Sequence, residues 1–164
     1  MARQPGKFAI DAMLCDSAVV ADGKLYVQGG GWNVITTARF PFRVNRIGLA
    51  AIVDVPWTET NRMHQLEISL ITEDGEAISI GRPSRDASGE VKRASTIVAE
   101  FNVGRPPHVP IGDSQPIPIA LNLDGLEFSA PGPYAFLFMI DGNEESRLTF
   151  RIQMPSGMNL TGGR

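Results

Sequence analysis

The stretch Gln65-Leu66-Glu67-Ile68-Ser69-Leu70-Ile71-Thr72 decides the fold class. Leu66, Ile68 and Leu70 recur at every second position, with Glu67 and Ser69 between them. Successive strand side chains point to opposite faces, so this spacing predicts a strand with one apolar and one polar side. The same period runs through Ser146–Met154. There Leu148, Phe150, Ile152 and Met154 share a face, and Arg147, Thr149, Arg151 and Gln153 take the other. Ile117–Leu123 repeats it with Ile117, Ile119, Leu121 and Leu123. Pro116 and Pro118 have no N–H to give a ladder, which places the start of that run at a sheet edge. Further strands are expected at Phe8–Cys15, Lys24–Gly29, Trp32–Phe40, Arg46–Val55, Glu76–Gly81 and Thr96–Val103, about nine in all. Helical spacing without an interrupting Gly or Pro is nearly absent, and 17 Gly and 12 Pro punctuate the short apolar runs. The pattern predicts an all-β protein, a two-sheet antiparallel β-sandwich of Ig-like or C2-like type.

Turn chemistry joins these runs. Glu73-Asp74-Gly75, Ala21-Asp22-Gly23 and Asp141-Gly142-Asn143 each precede a strand with residues that accept a tight reversal. Pro131-Gly132-Pro133-Tyr134 has the form of a tyrosine corner, in which the hydroxyl ties back to nearby backbone. Arg82–Arg93 and the proline-rich Arg105–Pro116 read as loops. Residues 1–154 are expected to form one domain, with residues 155–164 as a Gly-rich tail.

The chain of 164 residues carries 15 Lys+Arg against 18 Asp+Glu, a formal charge of −3. That balance lacks the basic excess of a dedicated nucleic-acid binder. Arg39, Arg43 and Arg46, with Phe40 and Phe42 between them, therefore read as a solvated rim. One cysteine closes no internal disulfide. Asp11 interrupts the first apolar stretch, and Ala135–Ile140 is too short to span a bilayer, so the expectation is a cytoplasmic protein with no membrane contact.

Catalytic and metal motifs are missing. His64, His108 and Cys15 show no zinc-ligand spacing, and no G-x-S-x-G elbow occurs. Neither a metal, a cofactor nor a catalytic residue is assigned. Gly29-Gly30-Gly31 could offer backbone N–H groups to an anion, but the strand-like run after Trp32 is not the helix of a phosphate loop. The segment from Pro56 to His64 gathers Trp57, Glu59, Asn61, Arg62 and His64, and is the candidate partner-binding loop. Tyr134–Ile140 is apolar on both faces. Ala135, Leu137 and Met139 form the second face and are the candidate oligomer surface.

Several motifs act together. Leu14-Cys15-Asp16 followed by Ala21-Asp22-Gly23-Lys24-Leu25-Tyr26-Val27-Gln28-Gly29-Gly30-Gly31-Trp32, then Val55-Pro56-Trp57-Thr58-Glu59-Thr60-Asn61 with His64 and Leu66-Glu67, Phe101 to Pro107, and Pro131-Gly132-Pro133-Tyr134, span nearly the whole chain. In order and spacing they resemble a bacterial family known only as a domain of unknown function. The resemblance implies a small all-β protein of bacterial or phage-associated genomes, and it assigns no activity and no functional residue.

The leading expectation is a non-catalytic binding or assembly module, with a homo-oligomer or a protein partner. The alternative is a small-molecule or anion-binding domain in which the Gly29–Gly31 turn and the Trp57–His64 loop converge. An enzyme would need Cys15 or Asp16 within reach of His64, and the reading leans against one.

Overall fold

The computed structural model describes residues 6–157, so residues 158–164 of the expected tail lie outside the described residues. The strands are β1 (Ala9–Cys15), β2 (Ser17–Ala21), β3 (Lys24–Gln28), β4 (Val34–Thr36), β5 (Phe42–Arg43), β6 (Arg46–Val55), β7 (Met63–Thr72) and β8 (Ala77–Ile78). They continue as β9 (Ser84–Arg85), β10 (Val91–Lys92), β11 (Thr96–Asn102), β12 (Gln115–Asp124), β13 (Glu127–Phe128), β14 (Gly132–Ile140) and β15 (Asn143–Gln153). The protein is all-β, with one 3-10 turn at Trp57–Glu59. Fifteen paired segments occur where periodicity suggested nine. The difference lies in β2, in β14, whose two apolar faces hide the period, and in two-residue pairings too short to show one, all counted among the described residues.

A three-stranded sheet, β1-β6-β12, faces a larger one ordered β11-β7-β14-β15-β4, with β8 paired to β7. The inward rows meet in a single apolar cluster. Leu49, Ala51 and Val53 come from β6, Leu66, Ile68 and Leu70 from β7, and Phe136 and Phe138 from β14. Burying each large apolar side chain stabilises the fold by about 1.5–3 kcal/mol, so these rows set the register of both sheets. Pro116 and Pro118 lie on β12, an edge strand paired only with β6, and their equal parity turns both missing N–H positions away from that ladder. Pairing is antiparallel except at β4, which runs parallel to β15 (Arg151 opposite Val34).

Sequence turns fall where expected. Asp22 and Gly23 both have positive φ (49° and 68°) and link β2 to β3. The Tyr134 hydroxyl donates to the Ala130 carbonyl at 2.6 Å, and burial pushes its pKa up.

The β2–β3 hairpin folds over the outer face of the three-stranded sheet. Ala18 and Leu25 on its inner side pack against Cys15, Ala50 and Ala120 of the sheet. Asn122 on β12 holds the hairpin as a backbone surrogate: its amide donates to Ala18 O (2.8 Å) and its carbonyl accepts from Ala18 N (3.0 Å). Gly48 permits the approach, since a Cβ there would stand 2.6 Å from Cys15 Sγ and 2.9 Å from Cys15 O.

Candidate functional site

The segment from Pro56 to His64 leaves β6 and enters β7, so both of its ends are fixed by core strands. Its own bonds then close it. The Thr60 hydroxyl donates to Trp57 O at 2.7 Å, and Asn61, at φ 60°, donates its N–H to Val103 O at 2.7 Å. Arg105 reaches in from the proline-rich segment. It donates to the Thr60 hydroxyl and to Trp57 O (2.9 Å), and its guanidinium lies 4.5 Å over the Trp57 ring. Arg62 pairs with Glu59 at 3.2 Å.

His64 is 2% exposed and packs edge-on against Phe8 with ring centroids 5.0 Å apart. Its Nδ1 lies 2.7 Å from Asp141 Oδ2 and its Nε2 2.7 Å from Glu59 O. The backbone N–H of Gln65, first, and the His64 ring, second, hold the Asp141 carboxyl below the usual aspartate range. Of the candidate loop residues, His64 is therefore a core clamp. Glu59 and Trp57 are half-buried, and only Asn61 and Arg62 stand open to solvent.

Beside the loop is a cavity of about 460 Å³, bordered by Lys7, Asp54, Trp57, Asp113 and Ser114. The Gly29–Gly31 turn is not part of it. Gly31 N donates to Leu14 O, and the Asp16 carboxylate lies against Gly29. This is the Cys15 end of β1, whereas Trp57 borders the Ala9 end, about 20 Å away along the strand. The convergence that the alternative small-molecule or anion-binding reading needs is thus absent: the β1–β6 register puts the two segments at opposite ends of one sheet, and the Asp16 carboxylate lies against the glycine turn. Cys15 sits under the β2–β3 hairpin, where burial first and the Asp16 charge second push its thiol up. Its neighbours are not those of His64, so no Cys–His pair forms.

On β14, Ala135 is buried, and Leu137 and Met139 are half-buried. Ser69 and Arg147 flank Leu137, and Glu67 and Glu144 flank Met139. The Arg147–Glu144 ion pair at 3.0 Å leaves this face with a charged border.

The open apolar surface lies elsewhere. Val19 and Tyr26 are cross-strand partners on the β2–β3 hairpin, 56% and 52% exposed. Val20 and Val27 are also exposed, and Met13 and Ile52 lie on the neighbouring outer face of the three-stranded sheet. These are six of the eleven large apolar side chains exposed among the described residues. Sequence reasoning missed this face. The signal was the pair Val19-Val20 and the pair Tyr26-Val27 on either side of Asp22-Gly23.

The model of a family of unknown function (DUF6941) matches residues 10–153. The chain belongs to this family. The DUF6941 match covers the motifs from Leu14 to Tyr134, and no curated protein matches the chain. Among solved structures, the chain is similar to the Pseudomonas fluorescens alkylpurine DNA glycosylase AlkC, bound to DNA containing an abasic site analog. The identity is 11% and the TM-score 0.39, over 89% of this chain. This DUF6941 chain spans 30% of the length of that glycosylase chain. No helix among the described residues is long and apolar enough to cross a membrane.

Proposed function

We propose that this protein is a non-catalytic interaction module that assembles with a second copy of itself through the β2–β3 hairpin. The observation that carries this reading is the exposed cross-strand pair Val19 and Tyr26 on the outward side of the hairpin, with Val20 and Val27 exposed on its other side and Met13 and Ile52 on the outer face of the adjoining sheet. Contiguous apolar surface on a folded protein marks interaction sites more often than chance exposure does. The hairpin adds a second means of pairing, because among the described residues no strand bonds to the outer edge of β3. An exposed apolar pair beside an unbonded strand edge can meet the same pair and edge of a second copy across a two-fold axis, which favours a second copy over an unlike partner.

Sedimentation velocity tests it. Wild type is expected at twice the chain mass at tens of micromolar, and Val19→Asp with Tyr26→Asp at the chain mass with unchanged circular dichroism. A wild-type monomer at that concentration, or a dimer indifferent to both substitutions, overturns the proposal.

A further inference from the structure

The two long sides of the fold differ. On one, β1 approaches β15, and the Ser146 hydroxyl donates to Ile10 O at 3.4 Å. On the other, β11 and β12 are the edges of the two sheets, and no strand bridges them among the described residues. Between them lies a chamber of about 140 Å³ with wholly apolar walls. Val53, Leu66 and Ile68 line it from the core strands, and Ile97, Phe101 and Ile119 from the two edges. Its origin is legible in β11, whose inward row runs Ile97, Ala99, Phe101: a methyl stands where its neighbours place large side chains. Ala99 is exposed and marks the opening. An apolar recess of about this volume has room for a group of about benzene dimensions.

The chamber adjoins a larger, open cavity of about 780 Å³ that shares Ile97 and Leu121 as walls. Its border carries Arg82, Arg93 and Asp124. The charge facing it is positive. Both Asp124 carboxylate oxygens are taken by Arg46 (2.6 and 3.1 Å), and Lys92 engages Asp86 and Glu90 (3.1 and 3.4 Å). Arg93 gives one N–H to Asp124 O at 3.1 Å and makes no ion pair among the described residues. Arg82 is exposed and makes no ion pair among the described residues.

We infer that this cleft binds a small amphipathic carboxylate, with its alkyl or aryl tail in the apolar chamber and its anionic head against Arg82 and Arg93. A guanidinium pairs with a carboxylate through two parallel hydrogen bonds, which supplies orientation as well as charge. The tail displaces no ordered polar contact, because the chamber wall offers none. The apolar chamber touches no hairpin residue, although the open cavity beside it also borders Ala120 and Asn122, on which the β2–β3 hairpin is seated; the inference does not use the hairpin's exposed side and so does not rest on the assembly proposal.

Amide NMR titrations of the full chain with hexanoate, hexan-1-ol and acetate test it. Hexanoate is expected to shift amides of β11 and β12, hexan-1-ol to bind at least tenfold more weakly, and acetate to leave those strands unmoved. Ala99→Trp, which fills the opening, is expected to abolish hexanoate binding. The exposed substitution Arg82→Glu is expected to weaken it at least tenfold, and this readout stands even if the tryptophan variant does not fold. Equal binding of the acid and the alcohol, shifts confined to other strands, or hexanoate affinity within twofold of wild type in Arg82→Glu overturns the inference.

Discussion

His64 Nδ1 stands 2.7 Å from the Asp141 carboxylate, a bridge across 77 positions of sequence that ties β7 to the turn between β14 and β15. The other ring nitrogen meets Glu59 O at 2.7 Å. The Asp141 carboxylate takes a second group, the Gln65 N–H at 2.9 Å. The histidine that looked most like chemistry in the sequence is instead the pin that closes the loop.

Asp141→Asn tests that pin. Asn tolerates the positive φ of 51° at this position, so the change removes charge without straining the backbone. The folded carboxyl titrates below its usual range, so its contribution is present above the unfolded value of about 3.9 and is lost as pH falls through the folded value. Urea denaturation at neutral pH is expected to show a loss of about 1–2 kcal/mol, the lower part of the range for charge-assisted bonds because the carboxylate is partly exposed. The gap between variant and wild type is expected to narrow as pH falls below about 3.9. A gap constant down to pH 2 would show that the Asp141 charge does not hold the loop.

Gly48→Ala probes the seat of the hairpin. The added methyl would meet Cys15 Sγ at 2.6 Å, and the backbone atoms behind it leave little room to retreat. Overpacking of this kind costs about 1–3 kcal/mol. Cys15 is fully buried, with its thiol pushed up, so it is expected to react slowly with a thiol reagent at pH 8. Gly48→Ala is expected to react at least tenfold faster. Equal rates would mean that the hairpin is not held down at Gly48.

Tyr134→Phe leaves the Ala130 carbonyl without its 2.6 Å donor while keeping the ring against Phe128 and Phe150. A loss of about 0.5–1.5 kcal/mol in thermal or chemical denaturation is expected, the net worth of one neutral hydrogen bond. No change would remove the corner from the account of stability.

What the sequence disclosed follows from how each strand is buried. β7 and β15 show through alternation because one side meets the core and the other meets water. Ser17-Ala18-Val19-Val20-Ala21 carries no such contrast. It is held by the Asn122 amide, a partner 104 residues away, and leaves its valines exposed. The expected strand Trp32–Phe40 contracts to Val34–Thr36, the residues that pair in register with the parallel edge of β15, while Trp32 makes only a lone bridge to Leu14. His64 was visible as a residue type but not as a clamp, since nothing local points to Asp141. The proposed assembly face lay in the two apolar pairs around Asp22-Gly23, whose exposure depends on how the hairpin docks on Cys15 and Ala50.

The central claim is that the β2–β3 hairpin is where copies of this chain meet. Hydrogen–deuterium exchange at about 1 µM and at about 200 µM, a span bracketing ordinary micromolar association, tests it most directly. Concentration-dependent protection confined to residues 13–28 and the adjoining part of β6 is the expected result. Protection centred on Ala135, Leu137 and Met139, or identical exchange at both concentrations, would contradict it.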